Sequence, residues 1–166
     1  MRTNLSRLIL LLLIMNAGTA SAKGSGAAAG SEDLGVGIMI GSPTGLSAKY
    51  WMNSKMAIDG ALGASLESDV KFHIHGDFLL QVPLRIKDVP GSVPLYLGIG
   101  PRIRVIDKKR HSQKVEFGFR LPVGLEYNPS TLPLNFFLEL APVLVATPEG
   151  GVSLDGAVGL RYRFGR

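Results

Sequence analysis

The sequence predicts an all-β fold, an eight-stranded antiparallel up-and-down transmembrane β-barrel, and three observations carry that prediction. Apolar residues alternate with polar ones in segment after segment, the charges inside those segments fall on one row, and the chain opens with an export signal.

Residues 1–22 read as a secretory signal peptide. Arg2 and Arg7 make a basic start, "LILLLLIM" (8–15) an apolar core, and "ASA" (20–22) a small-residue cleavage site. The apolar run is shorter than the ~20 residues that a spanning helix needs. The chain has no cysteine, so it has neither disulfides nor thiolate metal sites, and no thiol to carry a lipid. Residues 23–33, "KGSGAAAGSED", are small and polar and read as a flexible N-terminal tail. Residues 34–166 are left for the barrel. The formal net charge of +5 includes Arg2 and Arg7, so the remainder is only mildly basic and points to no nucleic-acid partner. Mean hydropathy is +0.23 without any long apolar run beyond the signal, as alternation would produce.

Eight alternating segments follow: 34–41, 45–52, 56–65, 69–81, 93–106, 114–127, 133–146 and 151–164. Turn-forming stretches separate them: "GSPTG", "NSK", "LESD", "DVPGS", "DKKRHSQ", "NPST" and "TPEGG". In the last segment Val152, Leu154, Val158, Leu160, Tyr162 and Phe164 form one row, and Ser153, Asp155, Arg161 and Arg163 the other. In "VKFHIHGDF", Val70, Phe72, Ile74 and Phe78 oppose Lys71, His73, His75 and Asp77. In the sixth segment Val115, Phe117, Phe119, Leu121, Val123 and Leu125 oppose Glu116, Arg120 and Glu126. Lys49, Asp59, Arg102, Arg104 and Glu139 also lie opposite the apolar row of their segments.

Period two does not say which row faces out. A soluble antiparallel barrel turns its polar row to water, whereas a transmembrane barrel turns its apolar row to lipid. The export signal and the even number of segments, which brings both ends to one side, favour the membrane. So do the aromatics. If the first strand runs outward from the periplasm, Tyr50, Phe78, Tyr127, Phe136, Tyr162 and Phe164 gather at the periplasmic rim, and Phe72, Phe117 and Phe119 toward the outer one. Pro101, Pro122 and Pro142 fall inside segments, where a missing N–H would interrupt a ladder, so either local bulges or different strand limits are expected there.

Three blocks, "GVGIMIGSPTGLSAKYWMN", "FRLPVGLEY…PLNFFLELAPVL" and "DGAVGLRYRF", resemble an uncharacterised family of small secreted bacterial proteins assigned to OmpA-like eight-stranded outer-membrane β-barrels. The resemblance covers nearly the whole chain after the signal. It implies a bacterial outer-membrane location after secretion across the inner membrane, assistance from the barrel assembly machinery, and no established activity. It also implies a terminal aromatic, yet here Phe164 is followed by Gly165 and Arg166.

Eight strands enclose a space that side chains fill. Lys49, Asp59, Lys71, His73, His75, Asp77, Arg102, Arg104, Glu116, Arg120, Glu126, Glu139, Asp155, Arg161 and Arg163 are therefore expected to form one polar network inside a plugged, non-catalytic barrel. The role expected is structural or one of surface interaction, by a monomer contacting outer-membrane lipids. Lys108, Lys109, Arg110 and His111 would place a basic tip near lipopolysaccharide phosphates. A narrow porin-like channel and a soluble periplasmic ligand-binding β-barrel are the alternative readings.

No cofactor or metal is expected. His73 and His75 share a face and could both reach one zinc ion, but a closed site needs about two further ligands. Asp77 sits among interior cations that compete for it, and the remaining histidine, His111, is in a loop. Serine beside a histidine occurs at His111-Ser112, where adjacent loop residues diverge, so no catalytic residues are assigned.

Overall fold

The computed structural model describes residues 33–65, 70–84, 86–108, 112–148 and 150–165. The signal peptide, residues 23–32 of the tail and the basic loop residues Lys109, Arg110 and His111 lie outside the described residues, as does the side chain of Lys108.

The described residues form nine strands: β1 (Asp33–Gly41), β2 (Thr44–Trp51), β3 (Met56–Ala64), β4 (Val70–Leu84), β5 (Gly91–Lys108), β6 (Ser112–Arg120), β7 (Val123–Pro129), β8 (Leu134–Thr147) and β9 (Gly151–Phe164). All pairings are antiparallel. Each strand from β1 to β5 pairs with the next, β8 pairs with β9, and β9 returns to β1 from Leu34↔Phe164 to Gly41↔Ala157. The sheet thus closes on itself, leaving no free edge in the ring.

The expected eight strands are nine because the sixth segment is broken at Leu121-Pro122. β6 and β7 both lie between β5 and β8, pairing with each, so they fill one position of the ring in succession. The cause is proline chemistry. Pro122 has no N–H to give to β5, but its carbonyl accepts from Gly98 N at 2.8 Å. Pro142 in β8 accepts from Leu121 N at 2.9 Å. A strand residue directs its N–H and C=O to the same neighbour, so the N–H that Pro142 lacks would also point at this break. Two prolines therefore face a single interruption.

At Pro122 the strand limits differ from the segment, and the bulges fall away from the prolines. Pro101 pairs with Phe119 and Pro142 with Leu154 without a shift. The shifts fall between Val70 and Phe72 against β5, and between Phe117 and Gly118 against β8. The first has a consequence for facing. Val70 is buried while Lys71 and Phe72 are both exposed, so the alternation slips by one residue and Lys71 leaves the interior row. Its ammonium lies 3.5 Å from Asp107 on the outer side. Asp33, assigned to the tail by its small polar neighbours, is instead the first residue of β1 and is buried.

The facing of the rest is reversed relative to a water-soluble sheet. Ile38, Ile40, Leu46, Leu62, Ile99, Leu138, Leu140 and Leu154 are exposed, whereas Lys49, Arg102, Arg120, Glu126 and Arg161 are buried. What apolar interior exists is small: Trp51, Ala57, Leu79 and Tyr96 at one end, and Met39, Ala61, Phe137 and Ala157 further along. Two of these rings lie against a glycine of the paired strand. A Cβ on Gly124 would stand 2.2 Å from the Tyr96 ring, and one on Gly159 would stand 2.4 Å from the Phe137 ring. Bare backbone at these two points lets a large ring fit inside a narrow enclosure.

Candidate functional site

The polar interior is the site that this fold builds. The inward rows of all the strands converge on it, and its contacts join strands that are not neighbours in the ring. Lys49 on β2 donates to Glu126 on β7, and Glu126 also accepts from Gln81 Nε2 on β4 at 3.1 Å. Arg161 on β9 donates to Asp59 on β3 at 3.1 Å, to Ser47 Oγ on β2 at 2.9 Å and to Asn135 on β8 at 3.4 Å. Asn135 passes the chain to Asn128 at 3.0 Å. At the end where the chain enters β1, Arg163 donates to Asn128 at 3.4 Å and to Asp33.

Further along, Arg120 on β6 donates to Glu139 on β8, whose other oxygen accepts from Tyr96 Oη on β5 at 2.8 Å. Toward the far end Arg102 joins Glu116 and, at 2.8 Å, Asp155 on β9. Arg104 adds a bond to Glu116 at 3.1 Å, and Ser42 Oγ, in the β1–β2 turn, reaches Asp155 at 3.4 Å. Aromatic faces complete the shell. The Arg161 guanidinium lies 3.8 Å from the centre of Phe137, and the Lys49 ammonium 4.6 Å from that of Tyr96.

Charge burial of this kind is tolerable only when nearly every ion has a partner. Six of the interior carboxylates accept a hydrogen bond from a cation: Asp33, Asp59, Glu116, Glu126, Glu139 and Asp155. Asp77 is different, with Arg120 Nε at 3.4 Å and His75 Nε2 at 3.8 Å but no hydrogen bond among the described residues. His73 and His75 are buried side by side, Nε2 of the former 3.3 Å from Nδ1 of the latter.

Fourteen of the fifteen residues expected in the interior network are placed facing inward, Glu116 and Arg163 half-buried near its two ends, and Lys71 is the exception. Tyr96, Asn128, Asn135 and Ser47 belong to the network too. Their signal was available, since each shares the parity of an inward charge on its own strand: Arg102, Glu126, Glu139 and Lys49 in turn. Asp155 stands between Ser42, at 3.4 Å, and His73, at 3.8 Å, so among the described residues this acid separates that hydroxyl from that imidazole.

No family model matches the sequence, and no curated protein does either. Solved structures do match. The N-terminal β-barrel domain of Pseudomonas aeruginosa OprF superposes with a TM-score of 0.54 at 11% identity, over 81% of this chain and 98% of that one. The chain has the fold of that β-barrel. The Yersinia pestis outer-membrane protein Ail aligns over 82% of this chain and 100% of its own, at 14% identity and a TM-score of 0.39.

Proposed function

We propose that the chain is an integral outer-membrane β-barrel protein, spanning the membrane through eight ring positions, with an ion-paired interior that blocks passage. Its role is structural or one of surface interaction, without catalysis. The observation that carries this reading is the inverted facing. Ile38, Leu140 and Leu154 are 58%, 55% and 64% exposed, while Arg102, Glu126 and Arg161 are at most 2% exposed. Water-soluble monomers rarely leave contiguous apolar patches beyond a few hundred Å². An apolar outer band around a polar interior suits lipid outside and ion pairs inside.

Aromatic placement supports the same reading. Tyr162 and Phe164 meet edge-to-face at 4.9 Å, and Tyr127 stacks on Phe136 at 6.3 Å, near the end where the chain enters β1. Phe117 and Phe119 meet at 5.2 Å toward the other end. Amphipathic and aromatic rings concentrate at membrane interfaces. Closure through β1 and β9 satisfies the remaining requirement, that backbone polar groups in hydrocarbon be bonded within the sheet. The partners in this proposal are outer-membrane lipids, lipopolysaccharide included, and the assembly machinery during insertion. The likeness to the OprF β-barrel domain fits with that setting.

The test is behaviour in membranes. Cells expressing the chain should retain it in the outer-membrane fraction after an alkaline wash. Purified protein should refold into phospholipid vesicles, float with them, and run faster unboiled than boiled on a detergent gel. A protein that stays soluble without detergent and migrates identically in both states would refute the proposal.

A further inference from the structure

The interior holds seven carboxylates, those of Asp33, Asp59, Asp77, Glu116, Glu126, Glu139 and Asp155. It holds seven fixed cations, those of Lys49, Arg102, Arg104, Lys114, Arg120, Arg161 and Arg163, so the two signs balance. These counts are of the described residues. One carboxylate nevertheless stands apart. Six of the seven accept a hydrogen bond from a lysine or arginine, and Asp77 does not. Asp77 is 1% exposed, and neither of its oxygens accepts a hydrogen bond among the described residues. It also lies directly across from Asp59 in the β3–β4 register, an arrangement of like charges that is unfavourable without something between or beside them.

We propose that His75, Asp77 and Glu139 form a binding site for one divalent transition-metal ion of the zinc class. His75 and Asp77 come inward from alternate positions of β4, and Glu139 reaches them from β8. One ligand atom from each lies within 4.8 Å of the other two. Zinc at about 2.0–2.2 Å from nitrogen and oxygen ligands would hold tetrahedral neighbours roughly 3.3–3.6 Å apart, so a shift of about an ångström closes the site.

The chemistry of each group suits that task. His75 engages His73 through Nδ1 at 3.3 Å, which leaves Nε2 toward Asp77 at 3.8 Å. A metal-binding imidazole is ordinarily held in this way by a partner on its second nitrogen. Glu139 is oriented by Tyr96 Oη and by Arg120, and its oxygens retain further lone pairs after those bonds. Asp77 brings two oxygens with no hydrogen bond to give up. One imidazole nitrogen with two carboxylates is a borderline-hard donor set, suited to zinc and its neighbours rather than to copper(I) or potassium. Arg120 is the competing cation, bonded to Glu139 and 3.4 Å from Asp77. A metal ion would leave it as an outer partner of both carboxylates.

The sequence argued the other way because period two showed only His73, His75 and Asp77. The third ligand is 62 residues beyond Asp77 on the opposite side of the ring, a separation that no strand pattern reveals.

The full chain, folded in detergent, is loaded with zinc chloride and dialysed against metal-free buffer. Bound zinc is then counted per folded chain by elemental mass spectrometry. The expected result is about one zinc per chain, with Asp107→Asn, an acid outside the barrel, retaining it. His75→Gln and Asp77→Asn should each lower retention at least tenfold. Zinc-edge X-ray absorption on the unmodified protein should show a histidine and oxygen ligands, and it needs no variant to fold. Folded protein without retained zinc, retention undiminished in His75→Gln, or a spectrum lacking histidine would overturn the proposal. An Asp77 carboxyl met by protons or water alone would give the first of those outcomes.

Discussion

Leu140 lies at the midpoint of the outward row of β8, paired with Val123 on one side and Gly156 on the other. It is 55% exposed, and in the proposed membrane setting it meets hydrocarbon. Replacing it with arginine therefore has an outcome that depends on the surroundings. In a bilayer, an arginine near the midplane of a barrel's outer face costs about 2–4 kcal/mol. That corresponds to a roughly 30- to 1,000-fold loss in the folding equilibrium. In water, an exposed Leu→Arg change away from special features stays within about 0.5 kcal/mol. The assay is urea unfolding from phospholipid vesicles, followed by the fluorescence of Trp51, the single tryptophan, which is buried in the interior. Ser153→Arg is the companion. Ser153 faces inward near the far end of β9, beside Asp155, and its Oγ has no bond to lose among the described residues. It should lose less than half of what Leu140→Arg loses. Equal losses, or a Leu140→Arg midpoint matching the parent, would mean that the apolar row does not face lipid.

The remaining expectations follow from the interior. Lys49→Met leaves Glu126 buried beside only Gln81 and a more distant Arg161, and breaking such a pair costs about 3–5 kcal/mol; the double change Lys49→Met with Glu126→Gln should recover most of that in the same unfolding assay. Gly124→Ala sets a Cβ against Tyr96, so the ring must shift off its bond to Glu139, lowering stability by about 1–3 kcal/mol in urea titrations. Purified protein in planar bilayers should show little ion conductance, because cross-ring ion pairs occupy the interior at successive levels; stable, reproducible channels would contradict the closed interior.

Much of this architecture was legible because burial in a barrel wall is decided by parity. Once Arg102 is inward, Tyr96 must be too, and Asn135 follows Glu139. Three things escaped for physical reasons. The break at Leu121-Pro122 leaves the alternation intact: Arg120 and Pro122 are buried and Leu121 and Val123 exposed, so no phase slip marks it. The bulge at Val70–Phe72 does slip the phase, but two residues from the strand start there is too little pattern to reveal it, and Lys71 was misassigned. Asp33 carried the composition of a tail, and only the cation brought by β9, the last strand of the chain, explains its burial. Partners across the ring are invisible to any local pattern, since Lys49 and Glu126 stand 77 residues apart.

The seam between β1 and β9 has a consequence for how such a chain can form. The final strand supplies Arg161 to Asp59, Asp155 to Arg102 and Arg163 to Asp33, pairings that span 102, 53 and 130 residues. Until β9 docks, Asp59 and Asp33 stand without their hydrogen-bonded cation and Arg102 has Glu116 alone, and β1 and β8 each present an open backbone edge that invites pairing with other chains. Contacts this distant in sequence also make folding slow, because loop closure must precede any reward. Commitment is therefore all-or-none. A chain lacking its last strand should not rest as a smaller barrel but remain unclosed and prone to aggregate.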